Sequence, residues 1–143
     1  MKEEFSELIK LIQLREIKIM DSHETVLQYI NHLKDETPIQ IQTEQGYNKD
    51  DPVINDKLIS FRPRYIFTFS VDGKPYFRAE YILLISFETR DIERFKTLYA
   101  IDEVKDIFLK KQLHRTLWSI LRGTVLDAFN RHSLQPVPLP WVV

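Results

Sequence analysis

The amino-acid sequence predicts an α+β fold in which an antiparallel sheet is built first and one long helix follows. Three observations carry this. Between Leu58 and Arg90 the run LISFRPRYIFTFSVDGKPYFRAEYILLISFETR is rich in aromatic and β-branched residues and breaks at Asp72-Gly73, a strong hairpin signal. From about Asp102 to Arg131, apolar residues return every fourth position at Leu109, Leu113, Leu117, Leu121, Val125 and Phe129, with Trp118 and Ile120 widening the stripe. Strands precede the helix and do not alternate with it, which favours antiparallel pairing over βαβ units. A length of 143 residues fits a single domain, residues 1–143, with one core.

The elements follow in order. LIQLREIKI, Leu11 to Ile19, reads as a first strand preceded by a short helix. ETVLQYINHLKDET has no decisive period and stays open between a brief helical turn and an irregular connection. TPIQIQTEQGYN, Thr37 to Asn48, alternates at Ile39 and Ile41 as a strand does, and Asn48 to Asp56 reads as a polar loop.

The hairpin register is set by its faces. A two-residue turn at Asp72-Gly73 would oppose Phe67 to Arg78 and Arg64 to Tyr81, mixing charge and apolar surface. A type I turn at Val71-Asp72 with Gly73 left-handed in a bulge opposes Phe67 to Phe77, Tyr65 to Ala79 and Arg64 to Glu80. That register collects Phe61, Tyr65, Phe67, Phe69, Phe77, Tyr81, Leu83, Ile85 and Phe87 on one face. It sends Arg62, Arg64, Thr68, Ser70, Arg78 and Glu80 to the other, so it is the expected one. After Arg90 the two-residue period is lost. Gly123 inside the long helix costs about 1 kcal/mol relative to alanine and is expected to mark a close helix approach.

Composition excludes several functions. The formal net charge is -1, so neither a polyanion nor an anionic membrane is an evident partner. FRPRY offers arginines among aromatics, but the preferred register separates them, against a single-strand nucleic-acid platform. The absence of cysteine removes thiolate metal sites and cysteine nucleophiles and fits a reducing compartment. The N-terminal stretch mixes charges through its apolar residues, unlike a signal peptide or membrane span, so a soluble cytoplasmic protein is expected. No nucleotide or hydrolase motif occurs, and His23, His32, His114 and His132 have no metal-ligand spacing. His114 reads as a surface or rim residue. No enzyme, cofactor or metal is expected.

The C-terminal segment LQPVPLPWVV is apolar yet interrupted by Pro136, Pro138 and Pro140, which forbid helix and exclude it from the middle of a sheet. It is expected to fold back over the helix and sheet. The run LWSILRGTVLDAFNRHSLQPVPLP resembles the end of the SecB-like chaperone family: an apolar-aromatic helical turn, then Arg122, a second apolar stretch, and a bend into a proline- and leucine-containing crossover. The bend at Asn130-Arg131-His132 lacks the glycine usual there. IQLREIKIMDS is similar to the long first strand of the shorter SecB-like members.

The resemblance implies a four-stranded antiparallel sheet, one long C-terminal helix and an extended proline-rich crossover tail. It implies an ATP-independent holdase for unfolded or nascent polypeptide, serving protein export or a toxin-antitoxin pair, with SecA or an antitoxin as possible further partner. The near-neutral charge sets the chain apart from the strongly acidic export members that work with SecA. A client groove would be lined at its margin by Phe61, Tyr65, Trp118, Phe129, Leu134, Leu139 and Trp141, since aromatic side chains give large contact area for few rotatable bonds. Leu14, Ile17 and Ile19, on a strand expected at a sheet edge, would pair subunits into a dimer or tetramer. A small-molecule or lipid-binding α+β protein and a non-enzymatic scaffold are the alternatives.

Overall fold

The computed structural model describes residues 2–30, 37–47 and 52–140. The chain begins with helix α1 (Lys2–Leu11) and continues directly into strand β1 (Ile12–Val26). Strands β2 (Gln40–Gly46), β3 (Val53–Asn55), β4 (Leu58–Phe61), β5 (Arg64–Val71) and β6 (Lys74–Thr89) follow. Helices α2 (Ile92–Tyr99) and α3 (Asp102–Ile107) come next, then a π-helical segment (Phe108–Leu113) and helix α4 (His114–Arg131). His32 and Trp141 lie outside the described residues.

Among the described residues the sheet has six antiparallel strands where four were expected. β6 is its spine: β1 pairs along one side, and β4 and β5 share the other. Pro63, which has no N–H to donate, separates β4 from β5. The register nevertheless runs on unchanged, from Phe61 opposite Ile85 to Arg64 opposite Ile82. β2 then pairs with β5, and β3 with β4. The extra strands therefore lengthen rows of the sheet. β3 lies within the stretch expected to be a polar loop, and it is held by a two-residue turn with Asp56 at φ 57°.

The β5–β6 hairpin corrects the expected turn. Val71 opposes Lys74, so Asp72 and Gly73 form a two-residue turn, with φ of 52° and 75° at the two positions, the backbone of a type I′ turn. The register shift is made further along, between Phe69 and Ser70, where Phe69 faces Phe77 and Ser70 faces Pro75. Tyr76 is thus the extra residue. Phe67 consequently faces Ala79, Tyr65 faces Tyr81 and Ile66 faces Glu80. A slip of one position by a turn bulge and a slip of one in the opposite sense by a strand bulge give the same faces. The expected aromatic face is accordingly the buried one, with Phe61, Phe67, Phe69, Phe77, Leu83 and Ile85 fully inaccessible.

The helices cover that face. From α3 onward the buried stripe includes Val104, Phe108, Leu113, Leu117, Leu121, Val125 and Phe129, with His114, Trp118 and Ala128 beside it. The π-helical turn, closing hydrogen bonds five residues back, shifts the phase by one, so Phe108 and not Leu109 enters the core. Ile120 is on the outer side. Among the described residues, nothing outside its own helix backbone approaches within 4 Å of where a Gly123 Cβ would stand, so Gly123 is not the close contact there that it was expected to be. The segment after Arg90 forms α2, capped by the Asp91 carboxylate on the Arg94 N–H at 3.1 Å. Arg94 also makes a two-point contact with Glu7, tying α2 to α1.

Candidate functional site

Two surfaces present themselves: the seam between α4 and the tail, and the outer margin of β1. α4 ends in a Schellman closure, with Ser133 N–H donating to the Asn130 carbonyl (3.2 Å) and Leu134 N–H to the Phe129 carbonyl (2.9 Å). Ser133 takes the left-handed position at φ 55°, filling the role glycine usually plays. The chain thereby reverses and runs back along α4. Trp118 Nε1–H donates to the Pro140 carbonyl at 2.8 Å, and Arg122 Nε–H to the Leu139 carbonyl at 3.1 Å. Leu134 and Leu139 are buried beneath.

Under the seam the aromatic rings interlock. Phe129 meets Phe69 and Phe77 at centroid distances of 4.8 and 4.9 Å, Trp118 meets Phe67 at 5.9 Å, and Phe61 meets Phe108 at 5.5 Å. Of the residues expected at a client groove, Phe61, Tyr65 and Phe129 have no accessible surface, and Trp118, Leu134 and Leu139 have at most 8%. All six belong to one apolar cluster, and Trp118 contacts the tail directly. Trp141 lies outside the described residues. In this conformation the tail and α4 close over the aromatic face.

Polar groups pin the seam at both ends. The Tyr65 hydroxyl and His114 Nδ1 share a hydrogen bond of 2.7 Å, and the two rings stack at 5.6 Å. Burial pushes the Tyr65 pKa well up and holds that of His114 below the ordinary histidine value. His114 is buried, not the rim residue expected. At the opposite end Glu24 of β1 accepts from the Tyr81 hydroxyl at 2.7 Å, contacts Arg131, and lies 3.3 Å from His132 Nε2. Burial and that carboxylate both raise the Tyr81 pKa. Neither cluster was read from the sequence, because partners at separations such as 49 and 107 residues leave no local pattern.

β1 pairs only with β6 among the described residues, so it is an edge, as expected. Leu14, Ile17 and Ile19 stand opposite Phe87, Ile85 and Leu83, on the helix-bearing face. Ile17 packs in part against the core, but Leu14 is 46% and Ile19 42% exposed, and Met20, Val26 and Leu27 extend the apolar margin. A surface cavity of about 370 Å³ is lined by Lys10, Gln13, Lys57, Glu88 and Arg90 among others. Among the described residues no cluster of three or more His, Asp or Glu is arranged to hold a metal, and no helix is long and apolar enough to cross a membrane.

No family model and no curated protein matches the sequence. The structure does have counterparts: its α+β arrangement, with an antiparallel sheet and a long C-terminal helix, is the SecB-like fold. The SecB-like chaperone Rv1957 of Mycobacterium tuberculosis, solved in complex with a ChAD peptide from the Rv1956 HigA1 antitoxin, superposes with a TM-score of 0.71. The likeness covers 97% of this chain and 96% of that one at 15% sequence identity, which establishes the fold. A protein of unknown function from Streptococcus agalactiae is 13% identical over 90% of this chain and 96% of its own, with a TM-score of 0.43.

Proposed function

We infer that the chain is a chaperone that holds unfolded or nascent polypeptide without ATP. The observation that carries this reading is the match, along nearly the whole chain, to a SecB-like chaperone solved with a bound peptide. Two features support it. The aromatic layer under the tail offers sequence-tolerant apolar contact once the tail lifts, through Phe61, Tyr65, Trp118 and Phe129, while Leu134 and Leu139 belong to the covering tail itself. The apolar margin of β1, at Leu14, Ile17 and Ile19, supplies an edge that a second subunit would cover, giving a homo-oligomer with room for an extended client.

The near-neutral charge of -1 favours a peptide partner of the antitoxin kind over the motor SecA. Cysteine-free composition suits work in the cytoplasm. The direct test is co-elution on a sizing column with one protein presented in two forms, reduced and permanently unfolded or folded. A chaperone retains the unfolded form alone. Retention of both forms, or of neither, rejects the reading in favour of a scaffold.

A further inference from the structure

The groove along α4 is filled by the chain's own residues 134–140, and the way they are held describes a ligand. We propose that this groove is a peptide site that takes extended, proline-punctuated apolar segments by their backbone carbonyls, with the tail as its intramolecular occupant. The proposal rests on the chaperone reading and names the ligand class of that site.

Trp118 and Arg122 stand one helical turn apart on the same side of α4. Their N–H groups take the carbonyls of two successive tail residues, Pro140 at 2.8 Å and Leu139 at 3.1 Å. Both hydrogen bonds run from helix donor to backbone acceptor. A backbone carbonyl belongs to every residue, so this pair recognises an extended main chain and leaves side-chain identity to the apolar floor. There Leu134 and Leu139 are buried and Val137 is half-buried.

The prolines do something else. Pro136, Pro138 and Pro140 are exposed, as is Gln135, so they add little contact with the floor. Their fixed φ holds the segment extended before it docks, reducing the conformational entropy lost on binding. The pattern Leu-x-x-Val-x-Leu with proline between is thus a preorganised ligand. Attached to α4 through Ser133, it competes at a high effective concentration against any peptide in solution.

Replacing exposed prolines loosens the occupant without removing a contact from the groove. The test uses the full chain, wild type and Pro136→Ser/Pro138→Ser, titrated against a fluorescein-labelled LQPVPLP peptide. The double variant binds it at least about tenfold more tightly than wild type. Adding Trp118→Phe, which keeps an aromatic ring and deletes the donor, weakens that binding about fivefold. A peptide with serine in place of its leucines and valine fails to bind. Equal affinity for wild type and the double variant overturns the proposal, as does indifference to Trp118→Phe in variants whose circular dichroism is unchanged. Aggregation suppression measured on the same proteins separates the two ideas. Suppression without peptide binding removes the groove proposal alone, and peptide binding without suppression removes the chaperone reading alone.

Discussion

His114 shows how one buried polar group couples the sheet to the helix. Its ring is 6% exposed, is hydrogen-bonded to Tyr65, and lies 5.3 Å from Trp118, the residue that holds the tail. Because burial lowers its pKa, the unfolded chain takes up a proton that the folded chain refuses. Stability is therefore complete above the ordinary histidine value of 6.5 and falls as pH drops through it. Urea midpoints at about pH 7.5 and 5.5 check this. Wild type loses more stability on acidification than His114→Phe, whatever the absolute stability of that variant, and parallel losses contradict the assignment. At this scale the sequence told which residues are apolar but not which polar ones join them. His114 looked like a rim residue because a helix stripe of leucines gives no sign that the neighbouring position meets a tyrosine 49 residues away.

At the scale of elements, the long helix and the tail are one device. α4 supplies the lid of the core, Ser133 turns the chain, and the tail returns over Trp118 and Arg122. Gly123 is exposed with free space at its Cβ position, so Gly123→Ala fits without strain and removes a weak point in the helix. It raises stability by about 0.5–1 kcal/mol, measured by chemical denaturation with the oligomeric mass unchanged. A loss of stability or of mass would instead show a neighbour packed on that face.

The long helix and the buried face of the hairpin were legible because each is a local period, whereas the order of the strands in the sheet is set by long-range pairing and was not. The turn was not. An aromatic face segregates equally well whether the slip is placed at Gly73 or at Tyr76, since both restore the same parity, and only pairing across strands distinguishes them. The π-helical turn was hidden for a related reason. Leu109 and Phe108 are both apolar, so the sequence does not reveal the phase shift that buries one and leaves the other partly accessible. The returning tail was legible from its prolines and leucines, whereas its two hydrogen-bonding partners on α4 were not.

At the scale of the whole molecule, the sheet carries its helices on one face and leaves β1 as an edge with an apolar margin. An exposed edge of 15 residues is a hazard unless covered, and a second copy of the chain is the cover expected of an oligomer built through Leu14, Ile17 and Ile19. Leu14→Arg/Ile19→Arg, at two positions already near half-exposed, leaves the fold intact and lowers the mass in solution to that of a monomer. An unchanged mass places the contact elsewhere.

Whether this molecule holds unfolded polypeptide without nucleotide is decided by light scattering from a chemically unfolded substrate diluted into the protein with no nucleotide present, with the oligomeric mass determined in the same buffer. Suppression that saturates at a fixed ratio of substrate to oligomer is the predicted result. Unchecked aggregation in the presence of well-folded protein would contradict it, leaving the SecB-like architecture as a fold put to another use.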